Sequence, residues 1–300
     1  MTQTLQGIAP ISHLGVIRVQ GDDAASFLHG QLTNDFALLD LHHARLAAFC
    51  SAKGRMQASF IGFKRAHDDI LLVLSRDLLA QTLKRLSMFV LRAKAKLSDA
   101  SADFHLQGLI GNAVPHSEQA PWALQSEGDA HIVHLYPAAG QARALWIAPA
   151  STAAPTTTLT AAQWLWSEVA SGVATVSQPV YELFVPQMLN YESIGGVNFK
   201  KGCYPGQEVV ARSQFRGTLK RRAFIVHAQA ELQAGTEVFA ASDAEQAAGT
   251  VVQAAPAPQG GWEAIVSMQI SAAPEALTAG SATGTPLTIL PLPYPLLEDI

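Results

Sequence analysis

The stretch Val197-Asn198-Phe199-Lys200-Lys201-Gly202-Cys203-Tyr204-Pro205-Gly206-Gln207-Glu208-Val209-Val210-Ala211-Arg212 carries more chemistry than any other part of this chain. Gly202 and Gly206 bracket a tight turn, where glycine permits a positive φ and a close approach of backbone to a ligand. Pro205 suits the first position of a helix running through Arg212. Cys203 then lies just ahead of a helix N-terminus, whose partial positive charge favours a thiolate, and Lys200 and Lys201 push the same way. Free cysteines are most often buried and structural. Here turn glycines, two cations and a helix start converge, so Cys203 reads as a reactive or ligand-gating thiol. Cys50, inside an apolar run, reads as structural.

Outward from this stretch the charge is segregated. Residues 1–100 hold 12 Lys/Arg against 8 Asp/Glu, whereas residues 101–199 hold Arg143 alone against 7 acids. Residues 200–222 hold seven basic groups (Lys200, Lys201, Arg212, Arg216, Lys220, Arg221, Arg222) against Glu208, and residues 223–300 hold 8 acids with no Lys or Arg. A basic segment inside a chain of net charge −4 attracts anions locally, although most charge runs do no more than keep a surface wet. With 300 residues, 49% of them hydrophobic, the chain can bury two or three compact cores. Its longest apolar runs, such as Ile70–Leu74, fall far short of the ~18–20 residues that cross a bilayer. Two cysteines exclude a disulfide scaffold, and the start, Met1 to Gly7, lacks the basic and apolar regions of a secretory signal. The expected compartment is a reducing cytoplasm.

Periodicity predicts a strand at Leu14–Val19 and a helix from Gly21 to about Leu32, capped by Asp22 or Asp23. Strands at Arg45–Cys50 and Met56–Phe63 are joined by a hairpin at Ser51-Ala52-Lys53-Gly54. A strand at Ile70–Leu74, a helix over Arg76–Leu91 and a strand at Ala93–Leu97 complete an α/β layer with a sheet covered by helices. Further strands are expected at Phe104–Ile110, His131–Tyr136 and Ala142–Ile147, with loops at Gly111–Pro121 and Ala148–Thr158, then a helix over Thr160–Ala170. Beyond Lys220 five short apolar segments (Ala223–Ala228, Thr236–Ala240, Gly249–Val252, Ala264–Ile270, Pro286–Leu290) read as a small antiparallel barrel. The fold class is therefore α+β, with a first region over 1–222, subdivided near 100–160, and a barrel over 223–300.

The run Lys201-Gly202-Cys203-Tyr204-x-Gly206-Gln207-Glu208 resembles the signature of the YgfZ family of folate-binding proteins, relatives of the glycine-cleavage T-protein, an aminomethyltransferase. Phe27-Leu28-His29-Gly30-Gln31-Leu32-Thr33-Asn34-Asp35 is similar to the family's N-terminal Gln-Gly-Gln-x-Thr-x-Asp element. Ala52-Lys53-Gly54-Arg55 is similar to its hairpin, and Leu290-Pro291-Leu292-Pro293-Tyr294 to its end. The resemblance implies α/β subdomains around a central folate channel followed by a barrel. It implies tetrahydrofolate or a related folate as ligand, with a folate-contacting tryptophan at Trp164. A pterin and a glutamate tail call for stacking surfaces and cations. Trp164, Tyr204 and Phe199 can supply the first; Lys53, Arg55, Lys201 and Arg212 the second. Asn34, Gln207 and Glu208 complete the expected contacts, and no metal is expected. The T-protein's catalytic carboxylate falls at Gln57, and its pterin-gripping glutamate at Ala170, two residues from Glu168. A second family tryptophan falls at about Leu14.

The resemblance implies an accessory protein that sustains iron–sulfur enzymes, among them a tRNA methylthiotransferase, through Cys203. Two other functions stay open. A folate-dependent one-carbon transferase would need a base other than Gln57, because an amide cannot accept and release a proton as an aspartate does. A direct tRNA binder would use the basic stretch over 200–222, with steep salt dependence. His131 and His134 fall on opposite faces of one strand and share no metal, and neither Gly-x-Gly-x-x-Gly nor a Walker loop is present.

Overall fold

The computed structural model describes residues 4–215 and 219–297; Arg216 of the basic stretch lies outside them. In chain order the elements begin with β1 (Gly7–Pro10), β2 (Leu14–Gln20), α1 (Ala24–His29), β3 (Ala44–Cys50), β4 (Met56–Ala66) and β5 (Asp69–Ser75). Next come α2 (Arg76–Ser87), β6 (Lys96–Asp99), β7 (Phe104–Ile110), β8 (Leu124–Glu127), β9 (Ala130–Ala138) and β10 (Gln141–Pro149). They are followed by α3 (Ala161–Ala170), α4 (Gln207–Phe215), β11 (Arg221–Ala228), β12 (Glu237–Ala240), β13 (Gly249–Pro256), β14 (Trp262–Gln269), β15 (Leu277–Ala279) and β16 (Thr285–Leu290).

The strands form three sheets: β3-β4-β5-β2-β6, β1-β7-β10-β9-β8, and a closed barrel β11-β14-β13-β12-β15-β16. β5 is buried on both faces along its whole length, which explains its unbroken apolar run. Ile70, Leu72 and Leu74 face a core that also holds Phe27, Leu28, Leu79 and Leu86 of α1 and α2. Leu71 and Val73 face the opposite way, into a second core shared with Val133 and Leu145 of the second sheet, Trp164 and Val169 of α3, and Ile225 and Ile265 of the barrel. The period of two along one strand thus joins a helix-covered layer to the middle of the molecule.

Several sequence expectations shift. α1 ends at His29 rather than near Leu32, and Asp23, the residue before it, uses its carboxylate to accept from Lys94 N at 2.7 Å instead of capping the helix. α2 stops at Ser87 because Met88, Phe89 and Leu91 beyond it are exposed, so no burial rewards another turn. The strand expected at Ala93–Leu97 lies at Lys96–Asp99. The barrel has six strands, the addition being three-residue β15. β1 and β8, four residues each, were also beyond the reach of periodicity. α4 starts at Gln207, with Pro205-Gly206 forming the turn ahead of it.

Candidate functional site

Three separate sequence elements converge on the Cys203 loop. Thr33 donates its hydroxyl to Gly196 O (2.7 Å), and Asn34 Nδ2 donates to Leu46 O (2.7 Å) and Gly195 O (2.6 Å). Asn34 is therefore a buried brace, its amide spent on backbone carbonyls. Asn198 Oδ1 accepts from Lys200 N (2.8 Å) and Lys201 N (3.1 Å), which sets the turn. The Lys201 ammonium turns inward, donating to His29 O and to Leu32 O (2.8 Å) just past the end of α1, and lies 4.6 Å from the Tyr204 ring centre. Such carbonyls are the negative end of a helix, where a cation is stabilised. Burial nevertheless lowers the Lys201 pKa to about 8, against the opposing pull of Asp35 and Cys203.

Lys201 and Tyr204 are buried while Gly202 and Cys203 between them are exposed. The loop is pinned by its two inward residues and offers the thiol to solvent. The hairpin braces the far side. A side chain on Gly206 (φ +80°) would fall 2.4 Å from Ser51 O and 2.7 Å from Gly54 Cα, and one on Gly54 (φ +71°) 2.9 Å from Val209 Cβ. Glycine is required at both places because two backbones touch there. Arg55 donates to Leu183 O, Arg212 pairs with Glu208 across one exposed helical turn (2.5 Å), and Lys53 is exposed. Gln207 is half-buried at the start of α4. Phe199 meets Phe215 edge-on, ring centres 5.2 Å apart. His29, at the end of α1, hydrogen-bonds Asp35 through Nδ1 (3.0 Å), and its Nε2 lies 3.4 Å from where a Gly202 side chain would begin. Cys50 is 2% exposed and burial pushes its thiol up to about 12.

Trp164 belongs to a different place. α3 is fixed at its start by a reciprocal capping box between Thr160 and Gln163. Its i,i+4 spacing sets Trp164 and Glu168 on one face, whereas Ala170 lines a separate cleft beside Trp166, Glu263 and Leu292. Glu168 is the carboxylate at the centre. It accepts from Trp164 Nε1 (2.8 Å) and Gln253 Nε2 (2.9 Å), and His13 Nε2 lies 3.1 Å from both of its oxygens. One carboxylate thus ties the β1–β2 connection, α3 and the barrel together. Burial alone would raise its pKa, but the charge and hydrogen bond of His13, with Arg143 and Trp164, hold it below the ordinary carboxylate value. Burial alone would lower the His13 pKa; the charge and hydrogen bond of Glu168 outweigh it and raise it.

Arg143 completes this centre. Its Cζ lies 4.5 Å over the Trp164 ring, its Nε donates to Ser167 Oγ (2.9 Å) and its Nη1 to Tyr136 O (3.3 Å). Burial lowers its pKa to about 10, Glu168 opposing, so it is still a cation at neutral pH. Sequence reading missed Arg143, His13 and Gln253. A signal existed for the first: Arg143 is the one Lys or Arg in residues 101–199, and a lone cation in an acidic, apolar stretch needs a buried partner.

These facts decide the fit of a folate. A flat pterin needs an open aromatic face and a hollow of drug-like size, about 300 Å³ or more. Trp164 is 1% exposed. Its ring packs on Gly108, where a side chain would fall 2.1 Å from Cε3, and the Arg143 Cζ lies 4.5 Å over the ring centre. The chamber bounded by Arg143, Glu168, Tyr136, Trp122 and Ile61 measures about 40 Å³, space for a few waters at most. The centre around Trp164 as arranged holds no hollow of that size. Neither Cys203 nor Trp164 lines this chamber or the larger clefts of about 480 and 640 Å³. Gln57, at the place of the T-protein carboxylate, is buried and donates to Glu182 Oε1 at 2.6 Å.

This architecture, two antiparallel sheets and a closed barrel around a common core, is an aminomethyltransferase-like fold. The chain superposes on the glycine-cleavage aminomethyltransferase T from Bartonella henselae with a TM-score of 0.66, covering 97% of this chain and 87% of that one at 16% identity, a likeness of fold alone. No protein-family model matches the chain. It is 31% identical over 299 residues to the tRNA-modifying protein YgfZ of Edwardsiella ictaluri, covering 93% of this chain and 89% of that protein. It is 27% identical over 311 residues to the protein of the same name in Serratia proteamaculans, covering 95% and 91%. The chain belongs to the YgfZ family.

Proposed function

We propose that this chain is an accessory protein of tRNA modification that supports iron–sulfur enzymes, a tRNA methylthiotransferase among them, through the thiol of Cys203, with tetrahydrofolate or a related folate as ligand of its aminomethyltransferase-like part. The observation that carries the reading is the presentation of Cys203. A solvent-facing thiol is held between two buried residues, Lys201 and Tyr204, on a loop braced by the Thr33-Asn34 element and by the Gly54–Gly206 contact. Three distant stretches of chain are spent on one exposed sulfur. A thiolate is a nucleophile and a metal ligand, and an accessible one suits brief contact with a client enzyme. Two cysteines cannot supply the four thiolates that usually hold a cluster of the chain's own.

Complementation tests this. Cys203→Ala should melt at the wild-type temperature yet fail to restore methylthiolated nucleosides, read by mass spectrometry, in cells that lack the protein; full restoration overturns the reading. One-carbon transfer is the weaker function: the residue at that place on β4 is Gln57, an amide, which donates to Glu182 Oε1 at 2.6 Å. A methylamine donor with tetrahydrofolate should give no product.

A further inference from the structure

We infer that the cleft of about 480 Å³ between the second sheet, α3 and the barrel binds a small organic cation, an amidinium, guanidinium or ammonium group on an apolar body, with Glu263 as its counter-ion. A hollow of this size holds a small organic molecule, and a joint between the layers of a fold is a common place for one. Here the joint is made by Leu5 near the chain start, Gly140 of the β9–β10 turn, Trp166 of α3, and Ile225, Leu290 and Leu292 of the barrel and its exit.

Charge selects the ligand. Among the described residues the lining contains Glu263 and no other Asp, Glu, Lys, Arg or His. The Glu263 carboxylate accepts from Trp166 Nε1 at 2.8 Å and, among the described residues, forms no ion pair. Burial raises its pKa above the ordinary carboxylate value, against the pull of that hydrogen bond and of His227, the mark of a carboxylate short of a cation. His227, opposite Glu263 in the register of β11 and β14, accepts from Gln229 Nε2 (3.3 Å) and gives no hydrogen bond to the carboxylate. The surrounding sequence adds to the field: residues 101–199 and 223–300, which supply most of the lining, hold 7 and 8 acids against Arg143, and Arg143 is turned to Trp164. An anionic ligand would meet Glu263 with no cation to offset it. A cation gains the carboxylate, apolar walls for its body and the indole of Trp166 beside it.

Calorimetric titration tests the idea with benzamidine, a flat amidinium, and benzamide, its neutral twin, on wild type and on Glu263→Gln, which keeps an oxygen acceptor for Trp166. Benzamidine should bind the wild type, and bind Glu263→Gln about tenfold more weakly, the scale of one charge pair. Benzamide should not distinguish the two proteins. Equal benzamidine affinities, no benzamidine binding to the wild type, or a matching loss for benzamide would each overturn the proposal. A capped arginine peptide carries the same group on a protein side chain and should bind more weakly than benzamidine; tighter binding would overturn a free small molecule in favour of a partner protein. Should Glu263→Gln fail to fold, the wild type answers by ¹⁵N NMR. The Trp166 Nε1–H signal, identified by its loss in Trp166→Phe, should move on titration with benzamidine; a signal that stays in place overturns the proposal.

Discussion

At the scale of single residues, burial separates two cysteines that look alike in composition. Cys203 is exposed, whereas Cys50 is sealed in β3 with its thiol raised to about 12. In native protein iodoacetamide should modify Cys203 and leave Cys50 untouched until denaturant is added; peptide mass mapping reads both, and early labelling of Cys50 would refute its sealed state. Glu168 is the second such residue. Its carboxyl is depressed below 4.5, so what it contributes is complete above about pH 4.5 and is lost as pH falls through its folded value. His13, raised above 6.5, contributes in full below about pH 6.5 and loses that as pH rises through its folded value. The pair is at full strength between those limits. Glu168→Gln should therefore cost most near pH 5.5, about 3 kcal/mol for a broken buried pair. Urea unfolding from pH 4 to 8 checks this, and a gap that does not vary with pH would contradict it.

At the scale of elements, the contact between the hairpin after β3 and the turn before α4 is a meeting of two backbones. Gly206→Ala would place a methyl group 2.4 Å from Ser51 O at a φ of +80°. Left-handed strain alone costs of the order of 1–3 kcal/mol, and the clash adds to it. The loss should appear in chemical denaturation, accompanied by altered alkylation kinetics at Cys203, because the loop cannot keep its place once the hairpin moves off. Gly108 has the same role under Trp164: Gly108→Ala should shift tryptophan emission and lower the melting temperature, since the indole has nowhere to go. Unchanged spectra would mean that the ring is not seated on β7.

At the scale of the whole molecule, the barrel and the two open sheets are stitched into one body. Tyr294, beyond the last barrel strand, donates to Gly172 O at 2.8 Å and packs edge-on against Tyr136 of β9, ring centres 5.4 Å apart. Gln253 of the barrel reaches Glu168. Tyrosine fluorescence, tryptophan fluorescence and circular dichroism should report one coincident transition, and Tyr294→Phe should lower its midpoint by about 1 kcal/mol of lost hydrogen bonding; separate transitions would show independent barrels and sheets. Much of this was readable from the chain. Short apolar runs announced β2 to β5 and five of six barrel strands, because strands half-buried or buried on both faces write their surroundings into local order. The motif over 201–208 likewise marked the exposed thiol, since turn glycines and a proline are local necessities. Three short strands, β1, β8 and β15, were silent, being too short to hold a period. Periodicity also could not say that Asn34 and Lys201 would be consumed as braces, nor that Arg143, His13 and Gln253 would meet around Glu168 and close the centre. Those outcomes depend on which distant backbones pass within a few ångströms of one another, a matter settled by packing three sheets around a common core and by no local rule of residue type or spacing.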